Sequence, residues 1–378
     1  MKAEREIVII GAGAAGVGLG VTFTELGITD FVILEKGAVG NSFTHWPQET
    51  RFITPSFTSN GFGMSDLNAI AVDTAPSYTL GKERLSGIDY AEYLQLVSDE
   101  YQLPIEGHCT VKSIKKDQKK YLIETTKGTI LANYLIFAVG EFSFPNKTNI
   151  EGADRFGLHY GEVDSWRKIE GRHQTIIGGN ESAIDAALEL AKLGKEVSVY
   201  TKSSGLDAKE ADPSIRLSPH TRQKFVDLHV NQQVPGSIKL YTSMEIRKIS
   251  RSAVGYQLIT DTGASIAIDN LPILCTGFDN GAKVLASSLF ACKENGEVRL
   301  NQFDESTIAE NVFLTGPSVR NQSVIFCYVY KFRQRFAVIA NEIAQRQGYA
   351  LDQKKLDYYK QQSFYLDDCS DCEVTCAC

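Results

Sequence analysis

Short runs rich in apolar residues and apolar residues at helical spacing alternate along most of this chain. The runs are Ile7-Val8-Ile9-Ile10, Phe31-Val32-Ile33-Leu34, Tyr134-Leu135-Ile136-Phe137-Ala138-Val139, Gln174-Thr175-Ile176-Ile177, Glu196-Val197-Ser198-Val199-Tyr200, Leu271-Pro272-Ile273-Leu274 and Val312-Phe313-Leu314. Such runs read as buried parallel strands. Helical spacing appears over 17–26, over 88–101 (Ile88, Tyr90, Ala91, Leu94, Val97), over 184–193 (Ile184, Ala187, Leu188, Ala191) and over a long stretch from about 323 to 345. Residues 110–114, 121–125 and 129–131 read as a β meander, with the lysine run 115–120 as a solvated turn. Residues 239–262 are again β-like, and 152–171 form a connector. The pattern predicts an α/β protein of two Rossmann-like three-layer domains.

Several runs stop at a glycine. The first continues into Gly11-Ala12-Gly13-Ala14-Ala15-Gly16, then a helix, then the second strand, closed by Glu35. Each part has a physical purpose. Gly11 allows the tight turn out of the strand, Gly13 lets the backbone approach a pyrophosphate, and Gly16 lets helix and strand pack closely. The helix N-terminus at Ala14 and Ala15 offers free N–H groups to phosphate. Glu35 falls about 20 residues past the glycines, where a carboxylate accepts from ribose hydroxyls. A loop rich in small and aromatic residues follows, from Lys36 to Trp46 and Pro47, suited to lie against a flat ligand.

The same pattern repeats at Gly178-Gly179-Asn180-Glu181-Ser182, so a second dinucleotide turn is expected. Asn180 stands where the second glycine would, and asparagine tolerates left-handed backbone better than other non-glycine residues. No acid closes this unit's second strand. Lys202 and neighbouring hydroxyls stand there instead, which suits a 2′-phosphate and favours NADPH over NADH. The competing reading is a solvent lysine in a loop.

Length and composition are those of an ordinary soluble protein of two or three domains: 378 residues, 43% hydrophobic, 22% charged. The net charge of −7 gives no reason to expect nucleic acid or an anionic membrane as a partner. No signal peptide or membrane span is expected. Cys109, Cys275, Cys292 and Cys327 are scattered like small buried residues in a reducing compartment, pointing to the cytoplasm. Cys369, Cys372, Cys376 and Cys378 crowd an acidic tail. Three readings of that tail stay open: a redox dithiol, a soft-metal thiolate site, or neither. Its acidity should raise the thiol pKa values. A homodimer is left open.

The two glycine turns, Glu35, and the strand ends Ala138-Val139-Gly140 and Cys275-Thr276-Gly277-Phe278 resemble the two-dinucleotide-binding flavoproteins, over the chain to about residue 345. Within that group, three features are similar to flavin-containing monooxygenases and CzcO-type oxidoreductases. They are Phe156-Gly157-Leu158-His159 with Trp166, Leu274 to Asp279, and Asn60. The resemblance implies an FAD domain (1–152 and 281–365) interrupted by an NADPH domain (153–280), with 366–378 as the cysteine tail. FAD would be held at Gly11, Gly13, Ala14, Ala15, Gly16, Glu35, Lys36, Trp46, Gly140 and Gly316. NADPH would be held at Gly178, Gly179, Asn180, Glu181, Ser182, Lys202, Thr276 and Gly277. It further implies that reduced flavin meets O2, forms a C4a-hydroperoxide and oxygenates a small soft nucleophile or ketone, with Asn60 beside the reacting flavin. A helix starting just past Gly316 would aim its positive end at the flavin pyrimidine.

The same scaffold also serves disulfide reductases, which need a thiol beside the flavin. No cysteine follows the first βαβ unit, and no C-x-x-C lies in the NADPH domain. Pro317 replaces the aspartate that such reductases carry after the late glycine. The C-terminal cysteines are the feature that keeps this alternative, or a flavin-based redox or metal response, in play.

Overall fold

The computed structural model describes residues 3–57, 63–203, 206, 216–322, 324–348 and 350–369. They fall into two compact units. One takes 3–44, 54–141 and 280–369 of the described residues; the other takes His45–Ile53 and Phe142–Asp279.

In the first unit, β1 (Ala3–Ile10) runs parallel to β2 (Phe31–Leu34), with Ile7 opposite Phe31 and Ile10 opposite Leu34. The helix Ala14–Glu25 crosses between them. It begins at Ala14, three residues before the apolar periodicity does, because the glycine turn itself supplies its first residues. A second helix, Gly87–Glu100, opens on a capping box in which Ser86 and Asp89 exchange side-chain and backbone hydrogen bonds. β3 (Ile105–Glu106) pairs with β2. β4 (Val111–Asp117) and β5 (Lys120–Thr125) form a hairpin that consumes most of the lysine run as strand. β6 (Gly128–Phe137) is one continuous strand across the two segments the pattern separates. Asn133 does not interrupt it, because its amide donates to Glu6 at 2.5 Å.

The second unit is built around five parallel strands. They are β7 (Leu158–His159), β8 (His173–Ile177), β9 (Glu196–Tyr200), β10 (Ser237–Tyr241) and, after a meander, β14 (Ile273–Leu274), in the order β10-β9-β8-β14-β7. The helix Glu181–Lys192 buries Ala183, Ile184, Ala187, Leu188 and Ala191 against Ile176, Val197, Val199 and Ile273 on one face. The other face, with Ile177, Tyr200 and Leu274, is covered by the antiparallel meander β11 (Ile246–Arg251), β12 (Tyr256–Thr260) and β13 (Ser265–Ile268), through Ile246, Ile249 and Leu258. These are the three layers of a Rossmann-like domain, each buried aliphatic side chain contributing roughly 1.5–3 kcal/mol.

His45–Ile53 belongs to this unit because its polar groups are satisfied there. Gln48 N–H donates to Asp164 O (2.8 Å), and Glu49 accepts from Ser165 Oγ (2.6 Å) and Trp166 N–H (3.0 Å). Thr50 Oγ1 and the Tyr160 hydroxyl lie 2.7 Å apart. Residues 142–152 are likewise bound to it, through Phe144 O and Asp279 N–H (2.8 Å) and through Glu151 N–H and Arg247 O (2.9 Å).

Returning to the first unit, β15 (Val312–Leu314) pairs in parallel with β6, placing Leu314 opposite Phe137. The continuous helix expected from 323 to 345 is not formed. β16 (Arg320–Asn321) and β17 (Val324–Ile325) make a hairpin, and helix begins with the short Val329–Phe332 and continues as Phe336–Arg346. The β-branched pair Val324-Ile325 prefers the extended chain, and a short apolar run does not by its period distinguish strand from helix. Among the described residues no helix is long and apolar enough to cross a membrane.

Candidate functional site

Three parallel strands of the first unit end at one edge: Ile10, Phe137 and Leu314 share a level. The segments that follow them make a cradle. Gly11 leaves β1 with φ +107°, and a Cβ there would lie 2.5 Å from Ala138 O. A Cβ on Gly16 would stand 1.8 Å from Gly11 O. Gly13 is different: a Cβ there would meet nothing nearer than Ser42 Oγ, at 4.0 Å. Gly11 and Gly16 are therefore demanded by the protein's own packing. Gly13 leaves open space in front of a helix N-terminus, where an anion is favoured.

Glu35 is buried at this edge. Its carboxylate accepts from Ala12 N–H (2.8 Å) and Gly37 N–H (2.9 Å), one bond per oxygen, so each oxygen retains an acceptor site. Thr315, the last residue before Gly316, is 1% exposed, and its hydroxyl has no partner among the described residues. A buried hydroxyl in that state is costly. Open space at Gly13, free acceptor capacity on Glu35 and an orphan hydroxyl at Thr315 fit a dinucleotide with phosphates and ribose hydroxyls.

The helix expected directly after Gly316 is absent. Gly316 has φ +98° and leads through a turn into β16, so no helix end is presented there. Gly140, at φ +61°, turns the chain out of β6. Lys36 is exposed. Trp46 does not belong to this unit; it packs in the second unit against Phe52 (5.0 Å) and Phe142 (6.2 Å). Asn60 lies outside the described residues, as do Cys372, Cys376 and Cys378.

The second turn is built alike but filled differently. Gly178 has φ +128°, and a Cβ there would sit 2.3 Å from Cys275 O. Gly179 is covered by Thr201, whose hydroxyl would be 2.3 Å from a Cβ. Asn180 is not left-handed. At φ −106° and ψ −159° it is an extended N-cap residue with no side-chain cap bond, exposed to solvent. The backbone therefore does not require asparagine there. Glu181 turns inward to accept from Ser218 N–H and Thr221 Oγ1 (2.5 Å), and burial pushes its carboxyl up. Those bonds brace the helix start instead of leaving the carboxylate free for a ligand. Ser182 remains half-buried beside it, and Lys202 is exposed past the end of β9.

Thr276 Oγ1 donates to Asn146 O at 2.5 Å. Gly277, at φ +83°, presents its carbonyl to Asn146 N–H (3.1 Å) and His159 Nε2 (2.9 Å). His159 Nδ1 accepts from Gly161 N–H at 3.1 Å, so the proton sits on Nε2. Burial holds this histidine below its usual range. His159 and Trp166 are both fully buried, which gives the Phe156 to Trp166 segment a packing role. Cys275 packs against the core of this unit, its thiol pushed up by burial and by Asp185.

Of the tail, Cys369 is described and is 3% exposed. The segment leading to it is pinned to the first unit. Leu366 N–H donates to Gln334 O (3.0 Å), the Arg335 guanidinium donates to Leu366 O, and Arg333 stacks 4.1 Å over Phe364. No cluster of three metal-ligating side chains occurs among the described residues.

Two Rossmann-like units, each with its own phosphate-type turn, define an oxidoreductase that handles two dinucleotides. The chain belongs to the pyridine nucleotide-disulphide oxidoreductase family, whose model matches residues 8–316. It is a flavoprotein with FAD and NADPH as cofactors. Bacilliredoxin reductase Bdr of Bacillus subtilis (strain 168) is 26% identical over 349 residues, spanning 92% of this chain and 99% of that relative. Among solved structures, bacillithiol disulfide reductase Bdr from Staphylococcus aureus matches with a TM-score of 0.73 at 23% identity, over 91% of this chain and 99% of its own. A flavin-containing monooxygenase from Stenotrophomonas maltophilia matches with a TM-score of 0.69 at 17% identity, over 92% and 100%. Both structural likenesses speak to the fold.

Two polar residues at the carboxyl edge of the first unit's sheet escape a reading of the sequence, Thr315 and Glu141. Each sits beside a glycine, Gly316 or Gly140, that ends a strand run. The signal available was a polar residue directly beside the glycine that follows an apolar run.

Proposed function

We propose that this protein is an NADPH-dependent disulfide reductase, carrying FAD in the unit of 3–44, 54–141 and 280–369 and NADPH in that of 45–53 and 142–279, with a low-molecular-weight disulfide as substrate. The observation that carries the proposal is the anchoring of the Cys369 segment on the same unit as the Gly11 turn. The near full-length match to a bacilliredoxin reductase supports it. Oxygenation of a small molecule, the expectation drawn from the monooxygenase-like motifs, has the weaker support.

FAD, when bound, supplies a two-electron carrier between nicotinamide and sulfur. The chain's own groups do the rest. The Gly11 to Gly16 turn and Glu35 hold the FAD phosphates and ribose, while the Gly178 turn and Lys202 hold NADPH, with Lys202 facing the 2′-phosphate. Glu181 is left out of this set because its carboxylate is already bonded within the unit. At the tail, the Cys372 thiolate attacks a substrate sulfur, with the buried Cys369 as the resolving thiol, and the departing sulfur takes a proton. The second thiolate attacks the resulting mixed disulfide, releases the other thiol and closes the pair. The two electrons of NADPH reopen it. The balance is NADPH + H⁺ + RSSR → NADP⁺ + 2 RSH.

The test is stoichiometric. Purified holoprotein is mixed with NADPH and a set of low-molecular-weight disulfides, with and without O2. Two thiols released per NADPH, lost in C369S/C372S, is the expected result. NADPH oxidation that needs O2, leaves disulfides intact and is unchanged in C369S/C372S would refute the proposal in favour of oxygenation.

A further inference from the structure

In the second unit the strand order β10-β9-β8-β14-β7 reverses at β8. The chain leaves β8 for β9 on one side, and β14 returns on the other. In open parallel sheets a dinucleotide lies across the carboxyl ends of the strands at such a switch point. The Gly178 turn follows β8, and Lys202 follows β9. A nucleotide with its pyrophosphate on that turn and its 2′-phosphate at Lys202 therefore sends its other half over β14 and β7, about 5 and 10 Å from β8.

A row of aromatic rings stands at those strand ends. Leu274 of β14 is level with Ile177 of β8 and with His159 of β7. Four residues past Leu274, the Phe278 ring reaches the end of β7 and meets the His159 ring edge-on at 4.9 Å. Gly161 makes room for it, because a Cβ there would lie 2.9 Å from the rim of the Phe278 ring. Phe142 stacks on Phe278, with centroids 5.1 Å apart and planes at 29°. Asp279 N–H donates to Phe144 O at 2.8 Å, which holds the segments of these two rings together. Trp46 extends the row, 6.2 Å from Phe142. Phe142 and Phe278 back onto the core around Trp166 and Ile176, yet both stay half-buried. Half-exposed rings at strand ends offer a flat apolar surface that a second flat ring would take out of water.

We infer that Phe278, held in place by Phe142 and Gly161, is the surface on which the nicotinamide ring of NADPH stacks. Phe278 covers one face of that ring and leaves the other for hydride transfer. The inference rests on NADPH occupying the Gly178 turn with its 2′-phosphate at Lys202.

The experiment titrates purified holoprotein calorimetrically with two ligands. One is NADP⁺, whose nicotinamide is a cation that an aromatic face attracts. The other is 2′,5′-ADP, which carries the adenosine half and the 2′-phosphate without nicotinamide. The readout is the ratio of the NADP⁺ affinity to the 2′,5′-ADP affinity in wild type, F278L, F278A and G161A. F278L keeps apolar bulk against Phe142 but has no aromatic face. It should lower the ratio by about tenfold, the size of one ring-on-ring stack, with 2′,5′-ADP binding unchanged. F278A should lower it as far. In G161A the new methyl displaces the ring, so the ratio should fall with Phe278 still present. A ratio in F278L equal to that of the wild type overturns the inference, whether both ligands bind more weakly or neither does. Failure of the underlying reading looks different: K202A would leave 2′,5′-ADP binding unchanged.

Discussion

The interior of the first unit contains a full charge pair, and its removal has a calculable consequence. Asp304 and Arg335 are both 0% exposed. Arg335 donates through Nε to Oδ2 at 2.7 Å and through NH2 to Oδ1 at 3.1 Å, a two-pronged contact. Its other hydrogens go to Gln302 O (2.5 Å) and to Leu366 O, and Asn321 Nδ2 completes Asp304 at 3.2 Å. One guanidinium thus joins the loop before β15, the helix-start region and the segment leading to Cys369. In D304N the shape is kept, but the guanidinium is left buried without its counter-charge and an amide NH2 is set against a donor. Breaking one side of a buried pair costs about 3–5 kcal/mol. At roughly 2–4 °C per kcal/mol for a unit of this size, the thermal midpoint should fall by about 6–20 °C. Replacing both partners by apolar residues, D304L/R335M, should recover much of that loss, because no charge is then stranded. The assay is urea unfolding followed by circular dichroism, with FAD in fixed excess, since a ligand bound by the native state shifts the apparent midpoint. A D304N cost below about 1 kcal/mol would refute the reasoning, and so would a double variant no more stable than D304N.

Two further outcomes follow from the same kind of reading. K202A should raise KM for NADPH about tenfold, a loss of about 1.4 kcal/mol, and leave KM for NADH unchanged; equal effects on the two nucleotides would make Lys202 a solvent residue. Glu305 tests the acid limb of stability. Burial alone would raise its carboxyl, but the Arg346 fork (2.6 and 2.9 Å), Asn311 N–H (2.7 Å) and Asn301 hold it below the ordinary range. A carboxyl depressed in the folded state contributes stability above its unfolded pKa, about 4.3, and loses it as pH falls through the folded value. E305Q should therefore lower stability at pH 7 and flatten its decline below about pH 4.3, read by urea midpoints across that range.

Much of the candidate site was legible because its constraints are local. A strand that must turn sharply, a helix that must pack on it and an acid at the next strand end all fall within one βαβ unit, so Gly11, Gly16 and Glu35 can be placed by counting. The same locality made the repeat at Gly178 visible. The failures were also physical. Asn180 suggested a left-handed residue, yet its backbone is extended and needs no special side chain. Glu181 looked available, yet Ser218 and Thr221, far along the chain, had already taken its oxygens. The run from 323 to 345 satisfied a helical period, yet Val324-Ile325 pairs with Arg320-Asn321 across a turn.

By itself the sequence determined two dinucleotide turns, an acid at the end of one and a lysine at the end of the other, and hence a protein that carries electrons between two nucleotides. Those features depend on residues close together in the chain. The tertiary structure decided everything that depends on contacts across long separations. It set Trp46 in the second unit, left Thr315 without a partner among the described residues, brought Glu141 to Ser318, and used one buried guanidinium to tie the segment carrying Cys369 to the first unit. No spacing rule reaches such pairs, because their neighbours are chosen by which buried polar groups can satisfy one another once the sheets have formed.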